Sequence, residues 1–239
     1  MAAIAAGWGL AVAADLRGRA AGLHHDAMVE GGLPLWGAVA LFLVAWQAMI
    51  AAMMLPSSLP LIRLFVIASR RQPCPRIAVL GFLGGYAVVW TSFGAFAFLG
   101  DVAVHRAVEA LPWLHERPWL VAGGVLALAG AFEFSKLKDA CLSKCRHPGP
   151  YLLGHYRRGA SGAFRLGLGH GLFCLGCCWA LMLVMFAAGI AVLWWMAALT
   201  GLMVYEKVGR HGEQVKPVAG ATLAGLAGLV FLLGAAPTT

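Results

Sequence analysis

Charge is what this chain has least of. Only 12% of its 239 residues are Asp, Glu, Lys or Arg, and ten of them are acidic, against roughly 25% charged in a soluble globular domain. So little charge excludes a soluble domain with a fully solvated surface. Also missing are a Gly-rich phosphate loop, a Ser/His/Asp arrangement and a soluble catalytic segment, so the reading leans away from an enzyme without closing the question. The six cysteines include no pair in an outward-facing connection, which excludes the disulfide framework of small secreted domains. There is no internal repeat and no low-complexity linker, so residues 1–239 read as one membrane domain.

What is present is apolar. Hydrophobic residues make up 61% of the chain and the mean hydropathy is +0.81, which reads as an all-α, polytopic membrane helix bundle. The formal charge of +8 then belongs to cytoplasmic anchoring loops by the positive-inside rule, and not to nucleic-acid binding. Six spans are expected, at 35–55, 77–99, 118–134, two within 166–206 with a turn near Gly189, and 218–233. Met1 to Ala14 adds a short first helix without the basic start of a signal peptide, and residues 1–34 form that helix and an outer segment.

Pro56 and Pro60 are read as bracketing a helix exit. Gly81, Gly84 and Gly85 would let a neighbouring helix come close. Basic connections at 63–76, 135–165 and 207–216 lie inside on this reading, and 100–117 lies outside. The strongest of them is the basic cytoplasmic loop 135–165, where seven Lys and Arg face one acidic residue, Asp139.

The chemistry concentrates between His170 and Met185. On a helix His170, Cys174 and Cys178 follow at i, i+4 and i+8, with Cys177 beside them, so the soft donors share one face. That helix would run about 22 Å, most of a bilayer core. Met182 and Met185 add thioethers. Thiolate, imidazole and thioether suit Cu(I) or Zn(II), with Cu(I) favoured by their softness, and not Mg or Ca. The competing explanation is that Cys packs between helices as a small hydrophobe.

A second set, Cys141, Cys145 and His147, lies in the basic loop, where Lys138, Lys144 and Arg146 favour the thiolate. Three ligands suit metal transfer better than a closed structural site, which takes four. His24, His25 and Met28 are candidates for metal capture on the outer side, and Met49 and Met53, one turn apart, for a relay. Glu133 and Glu206 sit at helix ends where an acidic side chain opposes the macrodipole. Lys136 and Lys207 are their nearest cations in sequence, and an inward-facing Glu133 would be a proton or cation acceptor.

These segments carry a resemblance. Ala48 to Ser57, Lys136 to Cys145, the block Cys174-Leu175-Gly176-Cys177-Cys178-Trp179-Ala180-Leu181-Met182 and the pair Glu206-Lys207 resemble the successive signatures of a bacterial family of uncharacterised, predicted metal-binding integral membrane proteins. The likeness runs from about residue 33 to 210. It implies a membrane protein that binds metal, with no substrate attached, and a place in the bacterial inner membrane. Phe132-Glu133 departs from the pattern, which has a polar residue, commonly Gln, after the aromatic.

Three functions remain open at this stage. The first is copper handling, by transport or by membrane-embedded delivery, with the lipid bilayer and a soluble metal carrier as partners and the oligomeric state open. The second is a thiol–disulfide oxidoreductase that cycles Cys174 and Cys177 and exchanges with Cys141 and Cys145. The third is a structural subunit or chaperone of a membrane complex.

Overall fold

The structure, a computed structural model, describes residues 1–16, 34–188 and 193–235, and every regular element among them is a helix. In chain order these are α1 (Ala2–Leu16), α2 (Leu35–Ser69), α3 (Pro75–Ala110), α4 (Pro112–His115) and α5 (Trp119–Glu133). They are followed by α6 (Lys136–Arg146), α7 (Pro148–His155), α8 (Ala160–Ala188), α9 (Leu193–Val208) and α10 (Gly212–Ala235). Four of them, α2, α3, α8 and α10, are long and apolar enough to cross a membrane. A fifth crossing results if α5 and α6, bent by 64° at their junction, are taken as one broken span. By themselves α5 has 15 residues and α9 has 16, short of the roughly 20 a bilayer core requires. Large apolar side chains such as Leu80, Phe96, Leu172 and Leu232 lie exposed on the outside of the long helices, as lipid-facing positions would.

The long helices differ from the sequence reading at three places. Pro56 and Pro60 do not end α2, which runs through both to Ser69. A proline there leaves the carbonyl four residues earlier without its N–H partner. For Pro56 that carbonyl is Ala52's, and the indole of Trp8 on α1 donates to it at 3.1 Å. Gly7, one residue earlier, lies so close to the α2 backbone at Ala48 and Ala52 that a side chain would collide there. At the second place, α3 continues to Ala110, well into the connection expected from residue 100. At the third, the basic segment 135–165 is not a loop: it folds into α6, α7 and the start of α8.

Packing follows the small residues. α3 and α8 form the most extensive contact in the bundle, where Gly81 and Gly85 lie against the α8 backbone at Ala160, Phe164 and Leu168. Of the three glycines expected to allow close approach, Gly84 meets only the Phe164 ring, at ordinary contact distance. α5 packs chiefly on α10, with Gly130 against Gly220 and Ala224.

α6 is the element that positions the site. Ser135 caps its start by accepting the Lys138 N–H at 3.1 Å, and Lys144 and Arg146 in its last turn suit the negative end of the macrodipole. Its inward face is Lys138, Cys141, Leu142 and Cys145, spaced i, i+3, i+4, i+7 as one helical stripe. Arg146 donates to the carbonyls of Glu206 and, at 3.1 Å, Gly209, so its guanidinium satisfies the C-terminal end of α9 and holds α6 beside it.

Candidate metal centre

The expected face of α8 is present and buried: His170 is 4% exposed, Cys174 0%, Cys177 1% and Cys178 1%. Cys174 stands at its middle. Its Sγ lies 3.1 Å from the Tyr86 hydroxyl of α3 and 3.1 Å from the Lys207 Nζ of α9. Lys207 also donates to Ser57 Oγ of α2 at 3.1 Å. Next along α2, Ser58 Oγ lies 3.1 Å from His170 Nε2 and 3.4 Å from the Tyr86 hydroxyl. A polar chain therefore joins His170, Ser58, Tyr86, Cys174, Lys207 and Ser57 inside an apolar bundle.

The other two α8 thiols turn toward their own helix. Cys177 donates to the Cys174 carbonyl at 3.1 Å and Cys178 donates to the same oxygen at 2.8 Å. Cys178 Sγ also lies 3.7 Å from the Met54 thioether. With the thiols so turned, no three His, Cys, Asp or Glu side chains among the described residues converge on one point as a metal site does. The donor types nevertheless fit a soft ion, since thiols from one helix and a thioether from another lie within side-chain reach. Rotation of the Cys177 and Cys178 side chains away from the carbonyl would be needed to bring them together.

The two cysteine sets that appear separate in sequence are one cluster in space. Cys145 of α6 interacts with the thiol of Cys177. One turn earlier, Cys141 Sγ fills the space that a side chain at Gly176 would occupy. Both α6 cysteines are 8% exposed. His147 does not join them, because it lies exposed at the end of α6 with Nδ1 on the Ser143 carbonyl at 2.8 Å. On the neighbouring α7, burial and the nearby Cys145 push the Tyr151 phenol up to about 12, so it is held as a neutral donor. Cys74 is exposed, at the start of α3.

Glu133 and Glu206 are both buried, at 1% exposure, and share one cation. That cation is Lys138 of α6, which pairs with Glu133 and, at 2.8 Å, with Glu206. In sequence Lys136 and Lys207 are close enough to pair locally with at least one of the carboxylates, and an inward Glu133 is the alternative. The bend between α5 and α6 instead turns Lys138 inward, and Lys207, next to Glu206 in sequence, leaves on another side of α9 toward Cys174. One oxygen of each carboxylate, Oε1, is buried without a hydrogen-bond partner.

Met49, Met53, Met182 and Met185 lie in the same buried core as the cysteines. Met54, passed over in the sequence reading, is the thioether that meets a thiol. Tyr86, Ser57, Ser58 and Lys207 were also missed as site residues. The hints were polar residues inside or beside apolar runs and, for Ser57 and Lys207, their place in the segments that carry the family resemblance. His24, His25, Met28 and the turn near Gly189 lie outside the described residues.

No curated protein and no solved structure matches this chain. A family model described as PpoB2, copper chaperone, does match, over residues 43–230. That range holds α3 to α9 in full, most of α2 and α10 and all the cysteines, so the buried thiol cluster lies within it, and the chain belongs to the PpoB2 copper chaperone family.

Proposed function

We propose that this protein is a membrane-embedded copper chaperone that takes up Cu(I) at the α8 thiols and passes it on through α6. Cys174, Cys177 and Cys178 are the tight set, supported by Met54 and His170. Cys145 and Cys141 are the exchange thiols, through which a soluble carrier gives or receives the ion. The observation that carries this reading is the packing of Cys141 Sγ onto Gly176, next to Cys177, with Cys145 one turn further along the same inward face, which joins an amphipathic helix of the basic segment to the centre of a long apolar helix. A metal can then move between helices by exchanging one thiolate for another, without crossing apolar space as a bare ion. By the positive-inside rule that segment faces the cytoplasm. Met49, Met53, Met182 and Met185 are candidates for a relay from the opposite side, with His24, His25 and Met28 as capture groups. Cu(I) is preferred to Zn(II) because the donors are mainly sulfur and include a thioether.

The same packing supports a second reading, thiol–disulfide exchange between Cys145 and Cys177. One experiment separates the two. Anaerobically purified, reduced protein is exposed to Cu(I) or Zn(II) and its metal content measured, for the wild type, the Cys174/Cys177/Cys178→Ser variant and Cys74→Ser. The expected result is near-stoichiometric copper in the wild type and in Cys74→Ser, and none in the triple variant. Equal copper in all three proteins sinks the proposed site. No copper in any of them favours the redox reading.

A further inference from the structure

Lys207 has no role in the reading above. Its side chain is buried, at 5% exposure, and its two hydrogen-bond partners are Ser57 Oγ and Cys174 Sγ. Among the described residues no carboxylate pairs with it, since Glu133 and Glu206 are both taken by Lys138. A buried ammonium with only a hydroxyl and a sulfur beside it is a costly arrangement unless an anion forms there. The groups nearest to forming one are the thiols.

We infer that the Lys207 ammonium is the built-in counter-charge of the copper site, sized for Cu(I) held by two thiolates. This rests on the copper reading of the α8 thiols. The charges add simply. Two thiolates and one Cu(I), with the third α8 thiol keeping its proton, carry a net charge of minus one, the two thiol protons being released to solvent, and the ammonium brings the unit to neutral. In a low-dielectric interior an uncompensated unit charge is far more costly than in water, so neutrality of the whole unit governs whether the ion enters. Sulfur retains lone pairs after binding a metal, and the hydrogen bond from Lys207 to Cys174 can persist in the loaded state. Ser57 Oγ accepts a second hydrogen bond from the ammonium and helps to hold it beside the sulfur. Zn(II) with the same two thiolates is already neutral, and the ammonium would leave that unit with an uncompensated positive charge. Lys207 thus raises affinity for the monovalent ion more than for the divalent one at a two-thiolate site.

The test is Cu(I) affinity, measured by competition with a chromophoric chelator on detergent-solubilised protein, for wild type, K207Q and K207R, with helical content checked by circular dichroism. K207Q is expected to bind Cu(I) more weakly by about tenfold or more, and K207R, which keeps the charge, to stay within about threefold of wild type. Zn(II) affinity should fall less than Cu(I) affinity in K207Q. Wild-type Cu(I) binding that is equal or tighter in K207Q overturns this inference and leaves the copper site standing. A wild type that binds no Cu(I) overturns both. If K207Q does not accumulate, K207R decides, and a tenfold loss in a folded K207R overturns the counter-charge.

Discussion

The same two helices, α2 and α3, build two unlike regions. Around Phe42, Trp46, Trp90, Phe93 and Phe98 they form an aromatic cluster with ring centroids 4.8 to 5.9 Å apart. About two to three turns along α2 they form the sulfur region, with Met54, Ser57, Ser58 and Tyr86 facing Cys174 and Lys207. In the aromatic region most hydrogen bonds run to the backbone: Trp46 Nε1 donates to the Trp90 carbonyl at 2.8 Å, and Gln47 donates to the Ala87 carbonyl at 3.1 Å and also to Thr91 Oγ1, while the Trp90 indole N–H is buried without a partner among the described residues. In the sulfur region polar side chains bond to one another across four helices, and a cation lies beside thiols. The aromatic region thus makes its hydrogen bonds chiefly to the backbone, and none of these residues is charged. The sulfur region keeps donor and charge capacity that packing alone does not use.

If that contrast is right, substitutions in the two regions should separate stability from copper binding. The largest effect on stability is expected for Lys138→Met, which strands two buried carboxylates. It should cost about 3–5 kcal/mol, read by thermal or denaturant unfolding in detergent, and a loss below 1 kcal/mol would show that the carboxylates do not depend on Lys138. Gly176→Ala comes next. Its methyl group meets Cys141 Sγ and pushes α6 off α8, for about 1–3 kcal/mol together with weaker transfer of copper to a soluble chelator. Unchanged transfer kinetics would remove α6 from the pathway. The smallest is Trp46→Phe, which loses one buried hydrogen bond worth about 1 kcal/mol and leaves the Trp90 carbonyl short of that partner. Its Cu(I) affinity should equal wild type, and a drop in affinity would break the division between the regions.

The donor face of α8 was legible because helical spacing is local: His170, Cys174 and Cys178 share a side of any helix that includes them. The small-residue contact of α3 was legible for the same reason, since Gly81 and Gly85 leave a groove whatever packs into it. The α6 cysteines were read with the wrong company. Composition placed them in a charged loop with His147, and the stripe Lys138, Cys141, Leu142, Cys145 that turns them inward needs α8 to bury against. Prolines misled in a similar way. Pro56 looks like a helix end until the Trp8 indole, 44 residues from Ala52, accounts for the Ala52 carbonyl that the proline frees.

By itself, then, the sequence determined that the chain is helical and apolar enough for a membrane, and that α8 carries soft donors on one face, because composition and periodicity act within one segment. Only the tertiary structure decided that the α6 cysteines lie against α8, with Cys141 on Gly176, that Lys138 serves both buried glutamates, and that Lys207 turns to Cys174 while its neighbour Glu206 does not. Those pairings join residues 5 to 68 positions apart in sequence. They depend on the 64° bend between α5 and α6 and on which face of α9 meets α2 and α8, and neither is encoded in the period of any single helix.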